Sequence, residues 1–169
     1  TVDEATYNPA LRAHTMETLA RLDRALRTFS HPEMARPLLW NLTQALGLRP
    51  HLEFLSGDKR NAIADWLRHF EAGVKPRLDS LRTQPIHGDF NPANLIVAPA
   101  MPERLAGVVD FGDMNRAPLV VDVAVAAAYQ CLQTDDPAAH LAAAAGAYHA
   151  EAPLDAEESG LVADLAITR

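Results

Sequence analysis

One stretch constrains this chain more than any other: residues 85–123, PIHGDFNPANLIVAPAMPERLAGVVDFGDMNRAPLVVDV. It holds two short apolar runs, each bordered by acids and amides. His87, Gly88, Asp89, Asn91 and Asn94 frame the first run. Asp110, Phe111, Gly112 and Asp113 close the second, and Asp122 follows inside a further apolar segment. Alternation and β-branched content predict strands over 94–98 and 105–111, joined through the turn APAMPE. A hairpin brings its open ends together, so the Asp89–Asn94 loop and Asp110 are expected on one side of the fold.

Grouped in that way, these residue types suit phosphoryl transfer from a nucleotide. The reaction asks little of a protein beyond positioning and charge. A carboxylate orients or deprotonates the attacking hydroxyl, and hard oxygen ligands hold magnesium on the phosphates. Asp89 fits the base, and Asn94 and Asp110 fit the metal ligands, because magnesium keeps much of its water shell and needs few protein oxygens. His87 beside an acid suggests a hydrolase or a metal ligand. The plainer expectation is that it packs under the loop and fixes its backbone. Asp122 lies in an apolar helix start, where a buried carboxylate needs partners. It is expected to accept backbone N–H groups of the loop. Asp113 is either a cap after the Asp-Phe-Gly turn or a group just behind the metal. Asn91 either reaches a phosphate or shapes the turn.

Composition narrows the alternatives. The net charge of −7 and the absence of any Lys/Arg-rich run leave nucleic-acid binding without electrostatic support. An acidic surface favours small cationic substrates, although keeping the protein in solution is the plainer reading of the charge alone. No apolar run approaches the ~20 residues of a membrane span. The lone Cys131 excludes an internal disulfide framework and a cysteine-rich zinc site, and fits a cytoplasmic location.

The flanking sequence reads as helical scaffold. Residues 1–7 are polar and expected to be a linker. Asn8-Pro9 starts a helix that apolar spacing carries to about Phe29. Ser30 and Glu33 have capping-box spacing. The segment MARPLLWNLTQAL is expected to be part helix, closed by Gly47 and Pro50. Ile63, Trp66, Phe70 and Val74 form the stripe of the longest amphipathic helix, which Pro76 should kink or split. Residues 84–87 predict a short strand. LVVDVAVAAAYQCL predicts a helix buried all round, Asp135-Asp136-Pro137 starts another, and a last one follows Asp155. The chain begins at Thr1 and stops at Arg169 inside a helical pattern, so a piece of a longer polypeptide is expected, its C-terminus truncated.

At this point the motifs match a known pattern. IHGDFNPANLIV resembles the catalytic-loop motif of the aminoglycoside phosphotransferase and choline kinase-like superfamily. GVVDFGDM resembles its metal-binding motif, and PLVVDVA its following helix. The resemblance implies an α+β, mostly helical fold: the C-terminal lobe of a protein-kinase-like enzyme over 8–169, with a short β-hairpin at the active site. It implies ATP and Mg2+, with Asp89 as catalytic base, Asn94 and Asp110 as metal ligands, His87 as a structural loop residue and Asp122 as loop anchor. The wording DFGDM and the upstream RPLLWNL look most similar to the hydroxylysine kinase-like branch, which is often fused to a class III, pyridoxal-phosphate-dependent aminotransferase domain. The expected acceptor is a small cationic molecule bearing a hydroxyl, an amino alcohol or aminoglycoside.

The chain also departs from that pattern. Its two lysines, Lys59 and Lys75, lie on or beside the long helix, and no glycine-rich hairpin precedes residue 40. The nucleotide-covering N-terminal lobe is therefore expected to be absent, and the fragment alone to be nearly inactive. Two other readings compete with the kinase. One is a kinase-like lobe that only binds ligand or a partner domain. The other is a metal-dependent phosphohydrolase using the same carboxylates.

Overall fold

The computed structural model describes residues 8–38, 40–132 and 134–169, so the linker expected at 1–7 lies outside the described residues. Helix α1 (Pro9–Leu26) starts where Asn8 Oδ1 accepts the Leu11 amide at 3.0 Å, with Pro9 in the first turn. It stops at Leu26 rather than near Phe29, which is 45% exposed. The capping box expected at Ser30 does not form. His31 caps a 3-10 turn over Pro32–Ala35 instead, its ring accepting the Glu33 amide. Pro32 forces the preceding residue to be extended, which ends the helical path here.

Leu42–Phe54 is a run of 3-10 turns kinked at Gln44. It passes through Gly47 and Pro50, which were expected to close it. Helix α2 (Gly57–His69) passes through a π turn at Phe70–Val74 into α3 (Lys75–Leu78). Pro76 lacks an amide and clashes with the carbonyl four residues back, so the expected split appears as this widened turn just ahead of it. Leu67, Phe70, Val74 and Leu78 face the core, whereas Ile63 sits on the rim at 41% exposure.

Strand β1 (Thr83–Ile86) follows, then β2 (Leu95–Ala98) and β3 (Met101–Val108), paired antiparallel as the expected hairpin. The second strand starts earlier than the sequence pattern indicates and ends before Asp110. A strand that the pattern does not reveal, β4 (Asn115–Pro118), pairs antiparallel with β1. It is four residues long and contains two polar residues and a proline, so no alternation marks it.

Helix α4 (Leu119–Gln130) is the centre of the core, with Val120, Val123, Ala124 and Ala127 fully buried. It touches α1 and β1, and also α5 (Pro137–Glu151) and α7 (Val162–Thr168). Such enclosure explains its all-round apolar sequence. The last helix of the sequence reading is two helices. A reciprocal capping box between Asp155 and Glu158 starts α6 (Ala156–Ser159), and Gly160, a poor helix former, separates it from α7. Buried Glu158 also receives both Nε and Nη2 of Arg82, at 2.5 and 2.9 Å. Among the described residues no helix is long and apolar enough to cross a membrane.

Candidate active site

The site grows from the N-terminus of α4. Asp122 is completely buried on its first turn, and its carboxylate accepts the amides of His87 at 2.7 Å and Gly88 at 2.9 Å. These two bonds anchor the loop that leaves β1. Gly88 has φ of +81°, and a Cβ there would lie 2.6 Å from the Asp113 carbonyl oxygen. Only glycine lets this loop lie against residues 113–115.

His87 is fully buried and joins the two halves of the site. Its Nδ1 accepts the Asp89 amide at 3.3 Å, so its Nε2–H donates to the Val109 carbonyl at 3.1 Å. Its ring stands edge-on to Phe90 and tilted against Phe111. Both nitrogens are thus engaged in hydrogen bonds, which leaves neither for a metal. In addition the Val109 amide donates to the Asn94 carbonyl at 3.0 Å. The loop 87–94 and the residue just before Asp110 are therefore stitched together twice.

Asn94 is buried, and its Nδ2 donates to the Asp89 carbonyl at 2.9 Å and to Asp89 Oδ2 at 3.1 Å. That leaves Asn94 Oδ1 as the carbonyl a hard cation would take. Asn91 caps the 3-10 turn Pro92–Asn94, its Oδ1 accepting the Ala93 amide at 2.8 Å while Nδ2 lies 3.4 Å from the Asp89 carbonyl. Asp110 is the one non-glycine residue with positive φ among the described residues (φ +62°, ψ +67°). Left-handed backbone costs a side-chain-bearing residue of order 1–3 kcal/mol and gathers at functional sites. Here it turns an exposed carboxylate out of the strand while Oδ1 accepts the Gly112 amide at 3.2 Å. Asp110 caps the 3-10 turn Phe111–Asp113, so the cap considered for Asp113 belongs to Asp110. The donor set of Asn94 and Asp110, two hard oxygens on adjoined segments, fits a magnesium ion that retains water. Among the described residues no group of three or more His, Cys, Asp or Glu could hold a metal.

Several contributors take no individual role from the sequence, although Arg36, Trp40 and Asn41 fall within the segment RPLLWNL. Asp113 Oδ2 accepts the Trp40 indole N–H at 2.9 Å, Asn41 Nδ2 donates to Asn115 Oδ1 at 3.1 Å, and Arg36 donates to the Gly112 carbonyl. Arg36, Trp40 and Asn41 thus brace the Asp110 turn from a distant part of the chain. Arg169 Nη2 pairs with Asp89 Oδ1 at 2.6 Å.

Asp23 did have a detectable signal. It lies four residues after Leu19 and seven after Met16, on the buried stripe of α1. It accepts the Tyr148 hydroxyl at 2.7 Å on Oδ2, while its buried Oδ1 lacks a partner. Burial, and then the neighbouring Asp122 carboxylate, hold the Asp23 carboxyl well above the usual carboxylate range. Burial also raises Asp122, against the pull of the Gly88 and His87 amides. A proton on Asp23 facing Asp122 satisfies both groups. A carboxyl raised in the folded state stabilises fully below its unfolded pKa of about 4, and that contribution fades as pH climbs through the folded value, by at most about 1.4 kcal/mol per pH unit. Asp23→Asn, which supplies a permanent N–H, is expected to flatten that decline. Urea unfolding at about pH 5 and pH 7 checks it, since Tyr148, Arg82 and His87 are common to both proteins. Equal declines in the two would show that Asp23 does not titrate over this range.

The sequence profile of the phosphotransferase enzyme family matches residues 3–157. Hydroxylysine kinase of Danio rerio is 26% identical over 144 residues, covering 81% of this chain and 41% of that protein. Hydroxylysine kinase of Mus musculus is 29% identical over 129 residues, covering 70% and 34%. The chain therefore spans about two fifths or less of the length of these curated relatives. Among solved structures, amicoumacin kinase hAmiN in complex with AMP-PNP, Ca2+ and Ami superposes on 99% of the chain and 51% of its own, with a TM-score of 0.68 at 15% identity. Aminoglycoside phosphotransferase APH(3'')-Id of Streptomyces rimosus, in complex with ADP and streptomycin, superposes on 95% and 64%, with a TM-score of 0.61 at 24% identity. These two likenesses establish a kinase-like fold, and the match over most of the sequence establishes the kinship: the chain belongs to the phosphotransferase enzyme family.

Proposed function

We propose that the chain is the C-terminal catalytic lobe of an ATP-dependent small-molecule kinase that acts in the cytoplasm on a hydroxyl of an amino alcohol or aminoglycoside. The observation that carries this reading is the double stitch between the Asp89–Asn94 loop and Val109, which ties the loop of Asp89 and Asn94 to the residue just before Asp110 and so supports a base at Asp89 with metal ligands at Asn94 and Asp110. The names of the relatives point the same way: hydroxylysine kinases by sequence, and neighbours in fold that hold nucleotides, a divalent cation and hydroxyl-bearing antibiotics.

In this reading Asp89 takes the proton of the acceptor hydroxyl. The acceptor oxygen forms its bond to the γ-phosphorus as the bond to the β-phosphate oxygen breaks, and ADP leaves. Asn94 Oδ1 and Asp110 would hold magnesium, which when bound neutralises charge on the phosphates. The loosely held Nδ2 of Asn91 would donate to a phosphate oxygen. His87 and Asp122 keep the loop in place and take no part in bond making, while Asp113 holds Trp40. The other half of the nucleotide cleft would come from an N-terminal lobe outside these residues, and further domains such as a class III aminotransferase fit the same scheme. Exposed Val109 and Phe111, which flank Asp110, give that lobe apolar side chains to cover.

The test is an assay on this chain and, where its gene encodes more, on the full-length product, with magnesium, ATP and a panel of hydroxyl-bearing amines. Phosphorylated acceptor matched to ADP is expected from the longer protein, abolished by chelating the metal, with little from this chain alone. Free phosphate without phosphorylated acceptor would replace this reading with a hydrolase. No turnover in any form would leave a binding lobe.

A further inference from the structure

Two buried carboxyls meet where α1, α4 and α5 pack together. Asp122 gives both of its oxygens to the loop, one to the His87 amide and one to the Gly88 amide. Asp23 comes from the buried stripe of α1, and its Oδ2 accepts the Tyr148 hydroxyl of α5 at 2.7 Å. Its main chain is tied to β1, because Gln84 Nε2 donates to the Asp23 carbonyl at 2.8 Å. The other side-chain oxygen, Oδ1, is buried without a donor, while the Asp122 carboxyl stands within hydrogen-bond reach of Asp23.

The charged and titratable groups around this pair do not neutralise it. Arg82 is the nearby cation, and its Nε and Nη2 are both bound to Glu158. The His87 ring has Nδ1 on the Asp89 amide and Nε2 on the Val109 carbonyl. Tyr148 has one hydroxyl hydrogen, already given to Asp23. Two buried carboxyls without a counter-ion do not both ionise, so one proton stays with the pair. The donorless Oδ1 marks Asp23 as its carrier, since the two amides favour charge on Asp122. A proton there gives Oδ1 a hydrogen to donate and gives Asp122 a third bond, of the strong charge-assisted kind. Asp122 in turn holds residues 87 and 88, and Asp89 follows directly in the chain. A charge on Asp23 would repel the Asp122 carboxylate in a setting of low dielectric and disturb those two amide bonds.

We propose that Asp23 is a positioning residue for phosphoryl transfer: its neutral carboxyl donates to Asp122 and so fixes the loop that carries Asp89, and loss of that proton at higher pH slackens the loop. This rests on the kinase reading above and adds to it a residue of α1 that acts only through Asp122. A displaced base costs rate more than affinity, because the reaction depends on near-ideal placement of the groups.

The experiment measures kcat and both KM values of the full-length product across about pH 6 to 9 for wild type, Asp23→Asn, Asp23→Leu and Tyr148→Phe. Asp23→Leu, which has no donor, should lose roughly tenfold or more in kcat with KM values within about twofold. Asp23→Asn keeps an N–H toward Asp122 and should recover most of that rate. Burial and Asp122 hold the Asp23 carboxyl above its ordinary range, so its proton leaves only as pH climbs through that raised value. Wild-type kcat should therefore fall on the alkaline side relative to Asp23→Asn. The Tyr148 hydroxyl favours the ionised form of Asp23, so Tyr148→Phe should move the fall to higher pH. Wild-type turnover by Asp23→Leu, Asp23→Asn as slow as Asp23→Leu, or identical pH profiles of wild type and Asp23→Asn each overturn the proposal and leave the kinase reading standing. The pH comparison decides the matter where the leucine variant does not fold. Amide exchange at residues 87 and 88 is read alongside because it needs no turnover, and it should be faster in Asp23→Leu than in Asp23→Asn. That pattern without phosphorylated acceptor from any form removes the kinase reading and this proposal with it, and leaves an anchored loop alone.

Discussion

Asp122→Ala is expected to lower the unfolding free energy by about 3 kcal/mol or more, the largest stability effect of any single polar substitution near the site. The substitution removes two charge-assisted hydrogen bonds and leaves the His87 and Gly88 amides without their partner in a buried region. Bonds to a charged group contribute roughly 1.5–3 kcal/mol each, and an orphaned buried donor costs about 1–3. The raised Asp23 carboxyl beside it also loses the acceptor for its proton. Asp122→Asn should cost about half as much, since one acceptor oxygen remains. Urea unfolding at neutral pH measures both, and amide exchange at residues 87 and 88 should quicken in step. A loss under about 1 kcal/mol would mean that the bonds of His87 to Asp89 and Val109 hold the loop by themselves.

The second large effect is on turnover. Asp89→Asn should cut phosphotransfer by the full-length product by about 10²- to 10⁴-fold, the usual contribution of a positioned general base. The change is nearly isosteric but removes the charge paired with Arg169, so a modest fall in melting temperature is expected while the fold is retained. Nucleotide KM should stay close to the wild-type value, because the proposed metal ligands are Asn94 and Asp110. A rate within about fivefold of wild type would remove Asp89 from the base role. A large rise in nucleotide KM would instead move it into the metal-binding set.

Much of this site is legible in the linear sequence because its parts are local. Asp89, Asn91 and Asn94 belong to one short loop, and the hairpin returns the chain to that loop at Val109. Two short apolar runs, with Asp89 before the first and Asp110 after the second, are enough to predict that Asp110 comes to the side of the Asp89–Asn94 loop. The anchoring contact of Asp122 is legible for a related reason. A carboxylate in an otherwise apolar helix start has to find donors, and the nearest unsatisfied amides are those of a tight glycine-containing turn. The misjudged helix ends, by contrast, sit where proline competes with apolar spacing, at Pro32 and Pro50. There the outcome depends on neighbours that periodicity does not report.

What the sequence by itself determined is the kinship, the mostly helical class, the hairpin and the membership of the 87–94 and 110–113 clusters. Those follow from short-range spacing and side-chain chemistry. The tertiary structure alone decided three things: the left-handed turn at Asp110, the brace of Arg36, Trp40 and Asn41 on that turn, and the contacts of Asp23 with Tyr148 and of Arg169 with Asp89. Asp23 and Tyr148 are 125 residues apart, and Arg169 and Asp89 are 80 apart. Pairings at that separation leave no periodic trace, because they are set by how α1, α4, α5 and α7 pack, and a side chain meets its partner only once those helices have closed around one core.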